Sequence, residues 1–250
     1  MTDHILHTRD GALNIIRMNR PDKKNAITRA MYATMTAALQ QGEADDSVRC
    51  HVIFGVPGAF SAGNDMQDFL TFAMSGSTEM TEVLQFLFAL AGVQKPIISG
   101  LDGLAIGIGM TLNLHCDLTL ATPRTQFRTP FVDLGLVPEA ASSLLVPAIA
   151  GHQRAFALLV LGEGFSAQQA KDAGLIWDVV SEGELEEKTL EIARRLAARA
   201  PEAVQISKQL MKSGSEAVNA RITQEVMLFG ERLRSDEAKT AFMAFMSRKK

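Results

Sequence analysis

Apolar and polar positions alternate from Ala12 to Met18 well enough for a strand, which Asn19-Arg20-Pro21-Asp22 ends. Thr28 then stands where a helix cap belongs. Met31, Met35 and Leu39 follow at helical spacing, so a helix is expected to about Gln41. Cys50 to Phe54, CHVIF, reads as a second strand, bounded by Gly55 and Pro57. The segment after it, GVPGAFSAGNDMQDF, is rich in glycine and small residues and reads as a loop holding Asp65 and Asp68. Glu79 to Gly92 reads as an apolar helix. Pro96 to Asp117, PIISGLDGLAIGIGMTLNLHCD, opens on a buried-strand signal at Ile97-Ile98 and runs through Gly100, Gly103, Gly107 and Gly109 into an apolar segment. A strand from Asp117 to Ala121 closes the first half.

Gln126 to Ser143 has no period and holds Pro130, Gly135 and Pro138, so it reads as irregular. Helical patterns follow at Leu144 to Ala150, Gln153 to Leu161 and Ala167 to Ala173, with a short apolar run from Leu175 to Val180. Beyond these come Glu182 to Arg199, Pro201 to Met211, Ser215 to Leu233 and a last helix from Asp236 to about Met246. Pro201 suits a first helical turn. Strands thus occupy the first half and helices the second, which predicts an α/β core over residues 1–195 and an α-helical region over residues 196–250.

Composition narrows the function classes. A hydrophobic content of 47% in 250 residues is ample for a core, and a net charge of −3 gives no electrostatic case for nucleic acid. Two cysteines, Cys50 and Cys116, make no disulfide framework and suit a reducing cytoplasm. The first residues, MTDHILHTRDG, show no basic-then-apolar secretory signal, and the terminal SRKK is not a peroxisomal tripeptide. No stretch approaches the roughly 18 uninterrupted apolar residues of a membrane span.

The candidate chemistry sits in the glycine-rich stretch. A strand, a glycine turn and a helix start leave backbone N–H groups unpaired, and such donors bind a phosphate or a developing oxyanion. A dinucleotide site fits poorly, because Leu112 stands where the third glycine after Gly107-Ile108-Gly109 belongs. His115-Cys116-Asp117 invites a nucleophile reading, but adjacent side chains do not face one another. His4, His7, His51 and His152 show no metal-ligand clustering beyond a terminal H-x-x-H, so no metal is expected. Ser142-Ser143 lacks a nucleophile elbow, and Arg194, Arg195 and Arg199 sit on a helix with Glu184, Glu186, Glu187 and Glu191, a mixture that reads as a solvated face.

Ala59-Phe60-Ser61-Ala62-Gly63-Asn64-Asp65 and Leu101-Asp102-Gly103-Leu104-Ala105-Ile106-Gly107-Ile108-Gly109 together resemble the two signature loops of the crotonase (enoyl-CoA hydratase/isomerase) superfamily. Asn19-Arg20-Pro21, Lys24-Asn25-Ala26, Cys116-Asp117 and Leu134-Gly135-Leu136-Val137-Pro138 match in order along the chain. The resemblance implies a crotonase-like spiral of ββα units with an α-helical C-terminal trimerisation region, and a homotrimer or homohexamer. It implies an acyl-CoA substrate, with coenzyme A part of the substrate and no separate cofactor. Carried onto this chain, Ala62 and Ile108 would supply the oxyanion donors, and Lys24, Ala26, Ser61, Asp65, Met66 and Gly107 would line the CoA site. Lys24 alone is equally well read as a solvated lysine, and Arg248, Lys249 and Lys250 as a solvated tail.

The departures from the pattern are informative. Thr111 and Phe131 occupy the places where the family's hydratases hold two glutamates, so ordinary hydration is doubtful. Glu139 remains, in a segment similar to the L-G-L-x-x-E of peroxisomal-type Δ3,Δ2-enoyl-CoA isomerases. One carboxylate suffices to carry a proton from C2 to C4, and burial beside Phe131 and Val137 would raise its pKa. The alternatives are thioester hydrolysis or dehalogenation on the same fold, and a non-catalytic acyl-CoA-binding protein. A structural reading also stands for Glu139, as a carboxylate stabilised at the start of a helix from Ala140 to Ala150.

Overall fold

The structure, a computed structural model, describes residues 4–68, 81–212 and 215–247. Its strands, in chain order, are β1 (Ile5–Asp10), β2 (Leu13–Met18), β3 (Cys50–Phe54), β4 (Ala59–Ser61), β5 (Ile97–Leu101), β6 (Leu104–Ile106), β7 (Leu118–Ala121), β8 (Gln126–Arg128), β9 (Phe165–Ser166) and β10 (Asp178–Val179). The larger sheet has the order β1-β2-β3-β5-β7-β10 and the smaller β4-β6-β8-β9. β1 and β2 form an antiparallel hairpin, and from β2 onward the larger sheet is parallel. Its central strands are covered on both faces, which is why every residue of CHVIF and IISGL is buried and only His51 and Ser99 among them are polar.

Ten helices complete the described residues: α1 (Arg29–Ala44), α2 (Thr81–Gly92), α3 (Ile108–Thr111), α4 (Ser142–Ala150), α5 (His152–Leu159), α6 (Ala167–Asp172), α7 (Leu185–Ala197), α8 (Pro201–Met211), α9 (Ser215–Leu233) and α10 (Asp236–Ser247). α1 starts where the Thr28 hydroxyl accepts the Met31 N–H, and it buries Met31, Met35 and Leu39. Those side chains share a core with Ile16, Ile53 and Leu101. On the opposite face of the larger sheet, Leu185 and Ala193 of α7 pack with Val52, Ile98 and Leu120.

The chain leaves the larger sheet after β3, β5 and β7, and each time adds the next strand to the smaller one. A helix follows each strand pair: α2 after β4, α3 after β6 and α4 after β8. This is the spiral of ββα units that the resemblance implied. Its passes are close. Gly103, between β5 and β6, has φ +74°, and a Cβ there would lie 2.0 Å from the Gly58 carbonyl oxygen. The C-terminal helices pack back onto the core: Lys208 Nζ donates to the Lys95 carbonyl at 2.7 Å and to Asp117 Oδ2 at 2.8 Å. Among the described residues no helix is long and apolar enough to cross a membrane.

Several expectations change in detail. The first strand, β1, is absent from the hydropathy reading because four of its six residues are exposed. The segments read as loops around residues 55–69 and 126–143 contain β4 and β8, three residues each, too short to show a period. α4 begins at Ser142 rather than Leu144, and α7 at Leu185 rather than Glu182. The expected start of the helix at Glu79 and the basic tail Arg248, Lys249 and Lys250 lie outside the described residues.

Gly103→Ala sets a side chain against the Gly58 carbonyl in a backbone conformation that disfavours a Cβ. Thermal unfolding should show a loss of about 2–4 kcal/mol, a fall in Tm of roughly 4–16 °C. A native melting curve for this variant would contradict the close passage of the two turns.

Candidate active site

The Asn19-to-Ile27 segment grips the first glycine loop. The Asn25 side chain, fully buried, donates to the Ala59 and Phe60 carbonyls at 2.9 and 3.1 Å. Arg20 reaches the Ala26 carbonyl at 2.9 Å and Asp65 Oδ2 at 2.6 Å. Ser61 Oγ donates to the Asn25 carbonyl at 2.8 Å and accepts the Gly63 N–H at 3.1 Å. Lys24 and Asn25, both at φ near +50°, turn the chain so that these groups meet.

The donors of this loop follow from that grip. Ala62 N–H donates to the Lys24 carbonyl at 2.8 Å, so the amide expected to face an oxyanion is already taken. Ile27 pairs with Asn64 in a parallel bridge, in which Ile27 N–H donates to the Gly63 carbonyl and its own carbonyl accepts the Asp65 N–H. In such a bridge the central residue on one side uses both its groups and its opposite uses neither. Asn64 N–H therefore has no partner among the described residues and points away from the bridge.

The second loop meets the first at van der Waals distance. A Cβ on Gly109 would lie 2.7 Å from the Ser61 carbonyl oxygen, and one on Gly107 would lie 4.0 Å from the Gly63 Cα. Gly107 has φ 55° and ψ −123°, a conformation that a side chain resists. It accepts the Met110 and Thr111 N–H groups at 2.9 and 3.0 Å and opens α3. Ile108 and Gly109, in the first turn, are left with no carbonyl for their N–H groups among the described residues.

Glu139 is 4% exposed, and Thr111 Oγ1 donates to its Oε1 at 2.5 Å. Thr111 lies one turn from Ile108 on α3, so a single short helix carries both the amide donor and the partner of the carboxyl group. Burial pushes Glu139 up to about 8, the Thr111 bond opposes this, and the Glu225 carboxylate adds to the rise. The Glu139 charge in turn adds to the burial that raises the Tyr32 phenol. Tyr32 OH donates to Asn64 Oδ1 at 2.5 Å, which ties α1 to the first loop beside the carboxyl group.

Glu139 does not cap a helix. The helix N-cap is Ala141, and the N–H groups of Ala141 and Ser143 go to Glu225 of α9, at 2.6 and 3.0 Å. A capping carboxylate would have its pKa lowered, whereas that of Glu139 is raised. Ala140 and Ala141 both lie in the left-handed region, at φ 60° and 57°, each costing about 1–2 kcal/mol for a residue with a Cβ.

The remaining candidates separate. Lys24 is exposed, Ala26 half-buried and Ser61 buried. The Asp65 carboxylate is engaged by Arg20, and Met66 packs against the core. His115, Cys116 and Asp117 go three ways: His115 Nε2–H donates to the Ala140 carbonyl at 2.9 Å, the Cys116 thiol is pushed up to about 12 by burial, and Asp117 pairs with Lys208 and Lys212. Asn64, Tyr32 and Glu225 were not singled out from the sequence. Asn64 lay within a recognised motif but only the bridge register selects its amide, and nothing local marks the other two.

Comparison with known proteins agrees with this geometry. Residues 8–250 match the enoyl-CoA hydratase/isomerase family. The chain is 34% identical to enoyl-CoA delta isomerase 2 of Rattus norvegicus over 98% of its own length, and spans 64% of that longer protein. It is 31% identical to 4-chlorobenzoyl coenzyme A dehalogenase-2 of Arthrobacter sp, covering 90% of this chain and 84% of the relative. The solved structure of Pseudomonas aeruginosa OdaA superposes with a TM-score of 0.93 at 42% identity, covering 98% and 99% of the two chains. The stitched glycine loops, the spiral of strand pairs and the match over nearly the whole length lead to one conclusion: this chain belongs to the enoyl-CoA hydratase/isomerase family, with the crotonase fold.

Proposed function

We propose that the chain is a Δ3,Δ2-enoyl-CoA isomerase in which Glu139 carries a proton from C2 to C4 of a 3-enoyl thioester. The observation that supports it most is a buried carboxyl group, Glu139, held by Thr111 beside two open amides. Glu139 takes the C2 proton, and the electron pair left behind delocalises onto the thioester oxygen. The Asn64 and Ile108 N–H groups receive that negative charge, replacing the expected pair of Ala62 and Ile108; each such donor is typically worth about 10²–10³ in rate. Glu139 then returns the proton at C4, and the double bond settles between C2 and C3. Water addition needs a second carboxylate, and Thr111 and Phe131 stand where one would be. Glu225 does not serve, because its oxygens accept from Ala141 and Ser143.

The same proposal takes coenzyme A as part of the substrate with no separate cofactor, and Lys24, Ala26, Ser61, Asp65, Met66 and Gly107 as the surroundings of the CoA moiety. A homotrimer or homohexamer and a cytoplasmic location complete it; the unpaired Cys50 and Cys116 support a reducing compartment. The dehalogenase relative keeps a second reading, in which the Glu139 carboxylate attacks the halogen-bearing ring carbon of a haloaryl thioester, forming an aryl ester and expelling halide. The burial that raises its pKa favours a proton carrier over a persistently ionised nucleophile.

Incubation with 3-enoyl-CoA, 2-enoyl-CoA and 4-chlorobenzoyl-CoA, with product analysis, separates the readings. Isomerisation of the first without hydration of the second or halide release from the third is the expected result. Glu139→Gln should lower the rate by about 10²–10⁴ and leave ligand affinity nearly unchanged. The base must be ionised, so kcat/KM of the wild type should rise tenfold per pH unit up to about 8 and level off above it. A profile already flat at pH 6 would count against Glu139 as the base.

The amide at 108 is tested separately. Ile108→Val keeps the N–H and should retain near-native activity, whereas Ile108→Pro removes it at a first-turn position that proline tolerates. Loss of about 10²–10³ in rate, with a native circular dichroism spectrum, is expected for proline alone.

A further inference from the structure

The Glu139 loop is held by a group from the far end of the chain. Glu225 lies on α9 and is 4% exposed. Its two oxygens accept the Ala141 N–H at 2.6 Å, the Ser143 N–H at 3.0 Å and the Ser143 hydroxyl at 2.5 Å. Arg221, one turn earlier, donates to Ser143 Oγ at 2.8 Å. On the other side of the turn, His115 Nε2–H fixes the Ala140 carbonyl at 2.9 Å. Between these anchors lie Ala140 and Ala141, both left-handed and neither a glycine. A backbone of this kind persists only when its surroundings over-determine it.

We propose that Glu225 is a positioning residue for the reaction: by gripping the left-handed Ala140–Ala141 turn, it fixes where the Glu139 carboxyl group points. The proposal rests on the reading of Glu139 as the proton carrier. The geometry carries it. Glu139 is joined to the gripped turn by one peptide bond, and its carbonyl accepts the Ser142 N–H at 3.0 Å inside the same turn. Release of Ala141 lets the turn relax toward ordinary backbone angles, and the carboxyl group swings with it. Displacements of about 1 Å at a reacting group cost on the order of 10² in rate. The Glu225 charge also acts on Glu139 directly, adding to the rise in its pKa. The groups around the pair are Tyr32 from α1, Thr111 from α3, Arg221 from α9 and His115, which burial keeps neutral.

The test compares Glu225→Gln and Glu225→Ala with the wild type. Gln keeps the shape but turns an NH2 group toward backbone donors, so one acceptor is lost. Both variants should lower kcat by about 10–10² with KM nearly unchanged. Without the neighbouring charge Glu139 should titrate at lower pH, read by NMR of protein labelled with 13C-carboxyl glutamate, with Glu139→Gln identifying the resonance. The rising limb of kcat/KM should move with it. Ala140→Gly and Ala141→Gly, added to Glu225→Ala, relieve the backbone strain and should restore most of kcat while leaving the titration shifted. If Glu225→Ala alone fails to fold, Glu225→Gln in the double-glycine background gives the same two readouts. A lowered Tm with wild-type kcat and an unmoved Glu139 titration would overturn the proposal and leave Glu225 a plain helix cap. The titration needs no turnover: a shifted midpoint in a protein that does not isomerise 3-enoyl-CoA would refute the isomerase reading and keep the link between Glu225 and Glu139.

Discussion

Two runs of main chain pass within one carbon atom's width of each other at the centre of this protein, at Ser61 and Gly109. Much of the site follows from that approach. It requires glycine on the second run and a buried serine on the first, whose hydroxyl joins its own loop to Asn25. It also decides which amides stay open. The first loop is paired on one side with the Lys24-to-Ile27 segment, so the Ala62 and Asp65 amides are occupied and the Asn64 amide is not. The second loop turns at Gly107 into a helix, so the first amides of that helix have no carbonyl behind them. Both donors are by-products of ordinary backbone pairing, and neither depends on the side chain it belongs to.

Against this rigid frame the carboxyl group of Glu139 is held in tension. Burial drives it toward the neutral acid, and the Thr111 hydroxyl favours its ionised form. The balance, near 8, lets the group exist in both states close to neutral pH, which suits the proposed carriage of one proton. A fully solvated glutamate would hold its proton too weakly to be an effective base. The same burial keeps His115 neutral and the cysteine thiols protonated, so the other titratable groups at this end of the sheet are chemically quiet.

How much was legible in the sequence depended on which groups carry the information. The central strands were plain, because burial on both faces leaves a mostly apolar signal in CHVIF and an apolar pair in Ile97-Ile98. The Thr28 cap was plain for the same local reason. β1 was not, since an edge strand with four exposed residues is held by its backbone. The glycine loops stood out, yet the open amide fell at Asn64 rather than Ala62, because a pairing register is a relation between two segments. Glu139 was visible as a lone acid in a matched motif. Glu225, in the unremarkable helical stretch ARITQEVML, acts through contacts more than eighty residues away and leaves no local mark.

The reach of Glu225 bears on modularity. Secondary structure suggests a division near residue 195, with strands before it and helices after it. The turn beside Glu139 nevertheless takes its acceptors from residue 225, and Lys208 anchors the ends of two core strands through Lys95 and Asp117. The helical last fifth of the chain is therefore no detachable appendage. A chimera that joined this core to a tail with no carboxylate in the place of Glu225 would keep a turn with two left-handed alanines and no acceptor beneath it. Substitutions on the two sides of that contact are physically coupled, so a recombination boundary placed between them cuts through the support of the Glu139 turn while leaving every described strand intact.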